Sequence, residues 1–194
     1  MKFSSFKSAA VAAATTAFVG LASAVPIQVQ FNVAALGSFT ANNGDVTTAT
    51  TITNGSPTIV GAIQLNNIGL VTGGPVTLSP NPMGVTVGSV FTKQFTTLLG
   101  TFLETLTVTS VAPSAAALGV LASGTIVQTV GTGFDPTQVF WSAAYTQNGG
   151  PGAQINGSFN KSRVDPVQRV PEPTSLALVG LALVGLGAMR RRFS

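Results

Sequence analysis

Residues 27–33 read Ile-Gln-Val-Gln-Phe-Asn-Val, and this short stretch decides the fold class of the chain. An apolar residue occupies every second position from Ile27 to Val33, and glutamine or asparagine fills the positions between them. Alternate side chains of a strand point to opposite faces, so a period of two places all the apolar residues on one face. The stretch therefore predicts a β-strand with one buried face.

The chain continues as short runs rich in Thr and Val, separated by clusters of Gly, Asn and Pro. Thr and Val favour half-buried pleated surfaces, and the clusters Asn42–Asp45 and Asn54–Pro57 are typical turn signals. We predict further strands at 46–53, 58–65, 76–78, 83–97, 101–111, 124–130, 137–147 and 153–160. This spacing predicts an all-β domain, either an antiparallel β-sandwich or a barrel-like fold.

One hairpin has a predictable register. A turn at residues 97–100 places Phe95 opposite Phe102 on the neighbouring strand. The same register places Lys93 opposite Glu104, a cross-strand pair of opposite charge that stabilises a sheet by roughly 0.2–1 kcal/mol.

Two other segments of the body are distinctive. Asn148–Gly152 is expected to form a five-residue loop in a hairpin. Residues 112–121 include three successive alanines and form the one helix-like patch of the body, which is too short to stand alone.

The body between the two ends of the chain, residues 25–170, has no net charge, although the whole chain has a formal charge of +4. Its basic residues are Lys93, Lys161, Arg163 and Arg169, and its acidic residues are Asp45, Glu104, Asp135 and Asp165. The positive excess belongs to the ends, so it does not indicate a nucleic-acid partner. Low charge does not predict disorder either, because disorder combines low hydrophobicity with high net charge.

The N-terminus has the three parts of a secretory signal peptide. Lys2 and Lys7 precede the apolar run Ala9–Leu21, and the small residues Ala22 and Ala24 flank Ser23 in an A-x-A site. We predict that signal peptidase removes residues 1–24 by cutting after Ala24. A retained N-terminal anchor is the alternative.

The C-terminus reads as a membrane segment with a stiff approach and a basic stop. Its parts in order are Pro171, Glu172 and Pro173, an uncharged run from Thr174 to Met189, and Arg190, Arg191 and Arg192. A helix over 174–189 spans about 24 Å, which is less than the roughly 30 Å of the hydrocarbon core, but arginine side chains can reach the headgroups. We predict a transmembrane helix in contact with inner-membrane lipid, with a buried core helix as the alternative.

This tail resembles the PEP-CTERM sorting signal of Gram-negative bacteria, which also carries the label "ice-binding protein C-terminal domain". The resemblance covers residues 170–192 and implies recognition by an exosortase, a membrane protease, before delivery to the cell surface or extracellular matrix. The predicted organisation is then a signal peptide at 1–24, an exported all-β domain at 25–160, a spacer at 161–170 and the sorting signal at 171–194.

The composition excludes much catalytic chemistry. The chain contains neither His nor Cys, which removes disulfides, Cys–His and Ser–His nucleophiles and zinc sites built on these residues. A glycosidase would need two facing carboxylates, and a Ser–Lys hydrolase would need Lys93 or Lys161 buried beside a serine. We interpret each acid as a turn or surface residue and predict no catalytic residue, metal or cofactor. A calcium site at Asn42, Asn43 and Asp45 is the alternative to an ordinary Asx turn.

Two groups of residues could bind a ligand on the surface. Exposed aromatic side chains could stack on sugars, and the candidates are Phe134, Phe140, Trp141 and Tyr145, although alternation predicts that at least one face of this strand is core. A threonine ladder at Thr101, Thr105, Thr107 and Thr109 is compatible with ice binding. Three function classes remain: a non-enzymatic surface or matrix protein, a module that binds extracellular polysaccharide or ice, and an unrecognised hydrolase.

Overall fold

A computed structural model of the protein describes residues 25–163, which contain β-strands and no helix, so the all-β prediction is confirmed. In chain order the strands are β1 (Val25–Pro26), β2 (Val29–Ala35), β3 (Thr40–Ala41), β4 (Thr51–Thr53), β5 (Thr58–Asn66), β6 (Pro75–Ser79), β7 (Met83–Gly84), β8 (Val90–Thr97), β9 (Gly100–Ser114), β10 (Ala117–Val130), β11 (Phe134–Asp135), β12 (Thr137–Gln147) and β13 (Ile155–Arg163).

Several predictions concern segments outside the described residues. These are the signal peptide at 1–24, most of the spacer, and the sorting signal at 171–194 with its transmembrane helix at 174–189. Within residues 25–163 there is no helix that is long and apolar enough to cross a membrane.

Eight strands form a closed antiparallel barrel in the order β10-β12-β13-β2-β5-β6-β8-β9. The ring closes between β2, near the start of the domain, and β13, its last strand, where Val33 pairs with Phe159 and Asn32 with Asn160. Closure pairs the two strands that would be the edges of an open sheet. Of the two predicted architectures, the structure is therefore the barrel.

The alternation at the start of the domain directs apolar side chains into the barrel. Val29, Phe31 and Val33 of β2 are buried, whereas Gln30 and Asn32 are only half-buried. The strand β12, predicted with the bounds that the structure has, shows the same alternation over its eleven residues. The period of two thus predicted both strands, the buried face of β2, and the presence of a core face on β12.

Aromatic rings fill the centre of the barrel. Phe31 meets Phe95 edge-on with 5.2 Å between ring centroids. Trp141 lies 4.9 Å from Phe91 and 5.6 Å from Phe159, again between centroids. These rings come from four different strands, and each is almost completely buried. Burial of a large apolar side chain contributes about 1.5–3 kcal/mol, so this cluster is a major part of the core.

A small sheet of β3, β4 and β7 lies at the end of the barrel where β12 terminates. The hydroxyl of Tyr145 donates to Oδ1 of Asn54, the residue that follows β4, over 3.0 Å. The buried side chain of Gln147 accepts a hydrogen bond from the amide of Val46 and donates one to the carbonyl of Gly44. These hydrogen bonds connect the small sheet and its turn to the barrel wall.

The opposite end of the barrel carries the parallel pair of β1 and β11, in which Val25 pairs with Phe134. The ring of Phe134 lies 5.7 Å from that of Phe102, which belongs to the core. The amide of Ile27 donates to the hydroxyl of Thr137 at the start of β12. The first residues of the described domain therefore pack against this end.

The predicted strand at 46–53 is wrong over residues 46–50, because only Thr51–Thr53 is a strand. Oδ1 of Asn42 accepts the amide of Thr50 over 3.1 Å. A side chain that takes backbone amides in this way competes with strand pairing. The threonine-rich composition predicted a strand where the asparagine instead stabilises a turn.

The predicted strand at 83–97 consists of two strands, β7 and β8, separated by residues 85–89. A turn forms there, in which the amide of Ser89 donates to the carbonyl of Thr86 over 3.0 Å. Gly88 has a φ of 89°, a conformation that glycine adopts without steric cost. The single glycine was too weak a signal to predict this break.

The helix-like patch at 112–121 is a β-hairpin. Its alanines at 115 and 116 form the turn between β9 and β10, since Ser114 pairs with Ala117. Pairing with the neighbouring strands thus overrides the helical preference of alanine. The strands predicted on either side are correct but longer than expected.

The last hairpin differs from its prediction in length. Gln147 pairs with Ile155, so the loop contains seven residues rather than five. The final strand β13 then continues to Arg163, which pairs with Val139. The strand therefore includes the first residues of the predicted spacer.

Candidate functional site

The predicted register of the β8–β9 hairpin is confirmed, because Phe95 pairs with Phe102 and Lys93 with Glu104. Lys93 and Glu104 form a salt bridge with 2.8 Å between Nζ and Oε2. Both side chains are completely buried. The interpretation of every acid as a turn or surface residue is therefore wrong for Glu104, because strand alternation directs it into the barrel.

Two aromatic rings lie close to the ammonium group of this pair. Nζ of Lys93 lies 4.6 Å from the ring centroid of Phe31 and 5.9 Å from that of Phe95. A cation over a ring is attracted electrostatically, and the attraction is larger away from water. The ion-pair partner of Lys93 is Glu104, which is not the serine that a Ser–Lys hydrolase would require. The arrangement is that of a structural ion pair.

The other candidate acids lie in different parts of the domain. Asp45 belongs to the turn hydrogen-bonded to Gln147, and Asp135 belongs to β11 at the opposite end of the barrel. Asp165 is outside the described residues. A glycosidase needs its two carboxyl groups roughly 5–9.5 Å apart across a cleft, and a buried Glu104 does not offer this arrangement. Within residues 25–163 no group of three or more acidic side chains is placed to hold a metal ion.

The turn proposed as a calcium alternative uses its oxygens internally. Oδ1 of Asn43 accepts the amide of Asp45 over 3.1 Å. Oδ1 of Asp45 accepts two hydrogen bonds from Thr47, one from its amide over 2.9 Å and one from its hydroxyl over 2.8 Å. The amide hydrogen bond from Thr47 is the main reason that the pKa of Asp45 lies below its ordinary value. This geometry favours the Asx turn over a cation site.

Two surface cavities lie near one end of the barrel. One has a volume of about 250 Å³ and is lined by residues 54–58, residues 75–78 and Asn81. The other has a volume of about 290 Å³ and is lined by residues 35–39 and 154–157. No charged residue lines either cavity, so neither offers a carboxylate or an amine for general acid–base catalysis.

Strand alternation separates the four candidate aromatic residues. Trp141 and Tyr145 are buried, and burial raises the pKa of the Tyr145 hydroxyl far above its ordinary value. Phe134 is half-buried against Phe102. Phe140, on the opposite face of β12, is 41% exposed. The prediction of one core face is confirmed, and Phe140 is the exposed ring of the four.

The threonine ladder lies on the outer wall of the barrel. Thr105, Thr107 and Thr109 are exposed, whereas Thr101 is half-buried. Adjacent strands of a sheet are rotated by about 20–25° relative to one another, and this wall curves to close a barrel. The flat threonine surface that the ice-binding alternative needs is not favoured by such a wall.

Register on this wall places Leu121 near Phe140, a neighbour that the sequence did not predict. Ser123 pairs with Phe140, and Leu121 pairs with Ser142, so the two apolar side chains are diagonal neighbours. Residue 121 lies at the end of the segment 112–121, which was predicted as a helix-like patch. The apolar residues at alternate positions Leu118, Val120 and Ala122 could have shown that this segment is a strand.

The sorting signal is supported by comparison with known families. Residues 169–192 match the family model of the PEP-CTERM protein-sorting motif. The match includes the predicted motif residues Pro171, Glu172 and Pro173 and the basic residues Arg190, Arg191 and Arg192. The chain thus carries a PEP-CTERM sorting motif. These residues, and the predicted cleavage site at Ala22 and Ala24, lie outside the described part of the chain.

The motif implies export and membrane-associated sorting in Gram-negative bacteria, with processing by an exosortase, which is a membrane protein. No curated protein and no solved structure matches the chain.

Proposed function

We propose that the protein is a non-enzymatic component of the cell surface or extracellular matrix that reaches its destination as an exosortase substrate. The observation that carries this proposal is the PEP-CTERM motif at residues 169–192. It follows a compact unit that ends at Arg163, so the barrel is the part of the chain that sorting would deliver.

The proposed route uses both ends of the chain. Signal peptidase removes residues 1–24 after translocation. The helix at 174–189 then holds the protein in the inner-membrane lipid, with Arg190–Arg192 on the cytoplasmic side. Pro171 and Pro173 keep the segment around Glu172 extended, in a form that suits recognition by the exosortase.

A structural role is supported by the way the barrel uses its reactive groups. Its interior is filled by aromatic rings, and its buried charges, Lys93 and Glu104, neutralise each other. The two cavities described above contain no charged lining residue. A general acid or base must lie within hydrogen-bonding distance of its substrate. Neither the buried pair Lys93 and Glu104 nor the uncharged cavity linings supply such a group.

Sorting can be tested by replacing Pro171-Glu172-Pro173 with Ala-Gln-Ala in a host that carries an exosortase. The variant loses the stiff approach and the single charge of the motif but keeps the helix and the arginines. We expect it to be exported, to lose its signal peptide after Ala24 and to remain uncut in the inner membrane. Intact mass and cell fractionation measure these outcomes.

A matched control replaces Asp165 with Asn and Pro166 with Ala, which removes an acid and a proline just before the motif. This control should be processed and released like the parent protein. If the Ala-Gln-Ala variant is also trimmed and released, the sorting proposal is wrong.

The absence of enzymatic function can be tested with a panel of glycosidase, esterase and peptidase substrates. Turnover that is lost in a folded Glu104→Gln variant would contradict the proposal. Circular dichroism of the variant must first show that the barrel still forms.

A further inference from the structure

One part of the barrel wall presents an exposed aromatic ring among uncharged polar side chains. Strands β9, β10 and β12 contribute this surface, and register makes its members neighbours. We call it the Phe140 face, and it comprises Thr107, Leu121, Ser123, Gln138, Phe140 and Ser142.

The geometry of the Phe140 face alternates apolar and hydrogen-bonding side chains. Phe140 is 41% exposed and Leu121 is 52% exposed, and they lie diagonally across adjacent strands. Ser123 lies directly beside Phe140, and Thr107 lies directly beside Ser123 on the next strand. Neighbouring strands are about 4.8 Å apart, so hydroxyl groups adjoin the ring at a regular spacing.

The Phe140 face has no formal charge, since its six members are Thr, Leu, Ser, Gln, Phe and Ser. Among the charged side chains that the structure describes, Lys93 and Glu104 of the same sheet point into the barrel. A charged surface attracts ligands of opposite charge. The six residues of the Phe140 face carry no charge with which to attract a charged ligand. Its chemistry is therefore complementary to an uncharged ligand.

We propose that the Phe140 face binds a neutral polysaccharide outside the cell. A pyranose ring has apolar C–H surfaces, which can stack on an aromatic ring, and hydroxyl groups at its edges. Ser123 and Gln138 can donate to and accept from these hydroxyl groups. The hydroxyl of Ser142 donates to the carbonyl of Asn160 over 3.5 Å and can accept from them. This inference rests on the proposed function, because it requires that the barrel be delivered outside the cell.

The size of the apolar surface argues for a sugar chain rather than a second copy of the protein. A stable protein interface buries about 800 Å² on each partner around an apolar centre. The Phe140 face offers two apolar side chains separated by hydroxyl groups. A polymer with repeated hydroxyl groups fits this pattern better.

Binding can be measured by native affinity electrophoresis of the full-length protein in a neutral detergent. The gels contain a soluble β-glucan, xyloglucan or galactomannan, and alginate serves as the acidic comparison. We expect at least one neutral polysaccharide to retard the protein and alginate to leave it unaffected. Phe140→Ala should weaken the retardation at least about tenfold, as truncation of a central aromatic contact does.

A matched control is Leu98→Ala, because Leu98 is 90% exposed at the tip of the β8–β9 hairpin. This variant should bind like the parent. Failure of all three neutral polysaccharides, equal binding by Phe140→Ala, or a dimer that Phe140→Ala abolishes would each overturn the proposal.

Binding and sorting fail independently in these tests. Phe140→Ala should be sorted normally in the exosortase host. The Ala-Gln-Ala variant of the motif should still bind the polysaccharide after purification. If the parent protein is sorted normally but binds none of the neutral polysaccharides, the proposal for the Phe140 face alone is refuted.

Discussion

Lys93 and Glu104 face each other across β8 and β9 with 2.8 Å between Nζ and Oε2, and neither side chain is exposed to solvent. Taking two charges out of water costs several kcal/mol per ion, which their mutual attraction must offset. The two residues therefore depend on each other, and the hairpin register brings them together.

Removing one member of this pair should destabilise the barrel strongly. Lys93→Met deprives a completely buried carboxylate of its counter-charge, and we expect a loss of about 3–5 kcal/mol in the free energy of unfolding. The double variant Lys93→Met/Glu104→Leu should recover most of this loss, because no buried charge remains. Urea unfolding measures both values.

Thr105→Ala is the control for that comparison, because Thr105 is exposed on the same strand. It should change the free energy of unfolding by no more than about 0.5 kcal/mol. If Lys93→Met is as stable as the parent, the ion pair is not needed for the fold.

Tyr145 should retain its proton until the barrel unfolds. Burial raises its pKa above the ordinary value of 10.0, so the folded state keeps a proton that the unfolded state loses. This contribution to stability is complete below about pH 10 and is lost as the pH rises further. The chain contains one tyrosine, so tyrosinate absorbance reports this residue alone. Absorbance of tyrosinate in the folded protein near pH 10 would contradict the assignment.

Tyr145→Phe removes the hydrogen bond to Oδ1 of Asn54. Loss of a donor to a buried acceptor costs about 1–3 kcal/mol. The variant should therefore be less stable at neutral pH, and its stability should no longer include the alkaline loss due to this hydroxyl. Thermal unfolding at pH 7 and above pH 10 separates the two effects.

Gly124 and Gly119 provide a matched test of close packing in β10. A Cβ at Gly124 would lie 1.8 Å from the carbonyl oxygen of Thr105, whereas the nearest atom to a Cβ at Gly119 is 3.7 Å away. Gly124→Ala should destabilise the barrel by about 1–3 kcal/mol or more. Gly119→Ala should be tolerated, and an equal effect of both changes in urea unfolding would refute the distinction.

Replacing Arg190, Arg191 and Arg192 with Gln should weaken membrane retention and orientation. In the proposed route these arginines form the positive stop that would keep the end of the tail on the cytoplasmic side. We expect less of the protein in the inner-membrane fraction and a mixed orientation in protease-accessibility assays. Unchanged retention and orientation would show that the helix alone is sufficient.

Local patterns predicted the strands well, because burial imposes a period of two on each wall strand. The same logic placed Lys93 opposite Glu104, since a turn at 97–100 determines every pair along the hairpin. It did not predict that this pair is buried. Whether a strand face turns inward depends on where the strand lies in the closed ring, which involves distant residues.

The errors at 46–53 and 83–97 share a physical cause, since a side chain or a glycine redirects the backbone at each. The side chain of Asn42 accepts a hydrogen bond from the amide of Thr50, which lies beyond its own turn. Gly88 has a positive φ in the turn that separates β7 from β8. The sequence predicted that at least one face of the strand containing Phe140 is core, but it did not show whether Phe140 lies on the buried face or the exposed one. Leu121 belongs to the segment predicted as a helix-like patch, so its position beside Phe140 follows only from the strand pairing.

The pairing of Val33 with Phe159 joins the two extremes of the domain. Proteins dominated by such distant contacts fold slowly, because the intervening chain must be ordered before the contact forms. In the proposed route the chain crosses the inner membrane from its N-terminus, so it cannot complete this barrel until β13 has emerged. In the sequence only residues 164–170 separate β13 from Pro171, so on this route completion of folding and arrival of the sorting motif would occur at nearly the same stage of export.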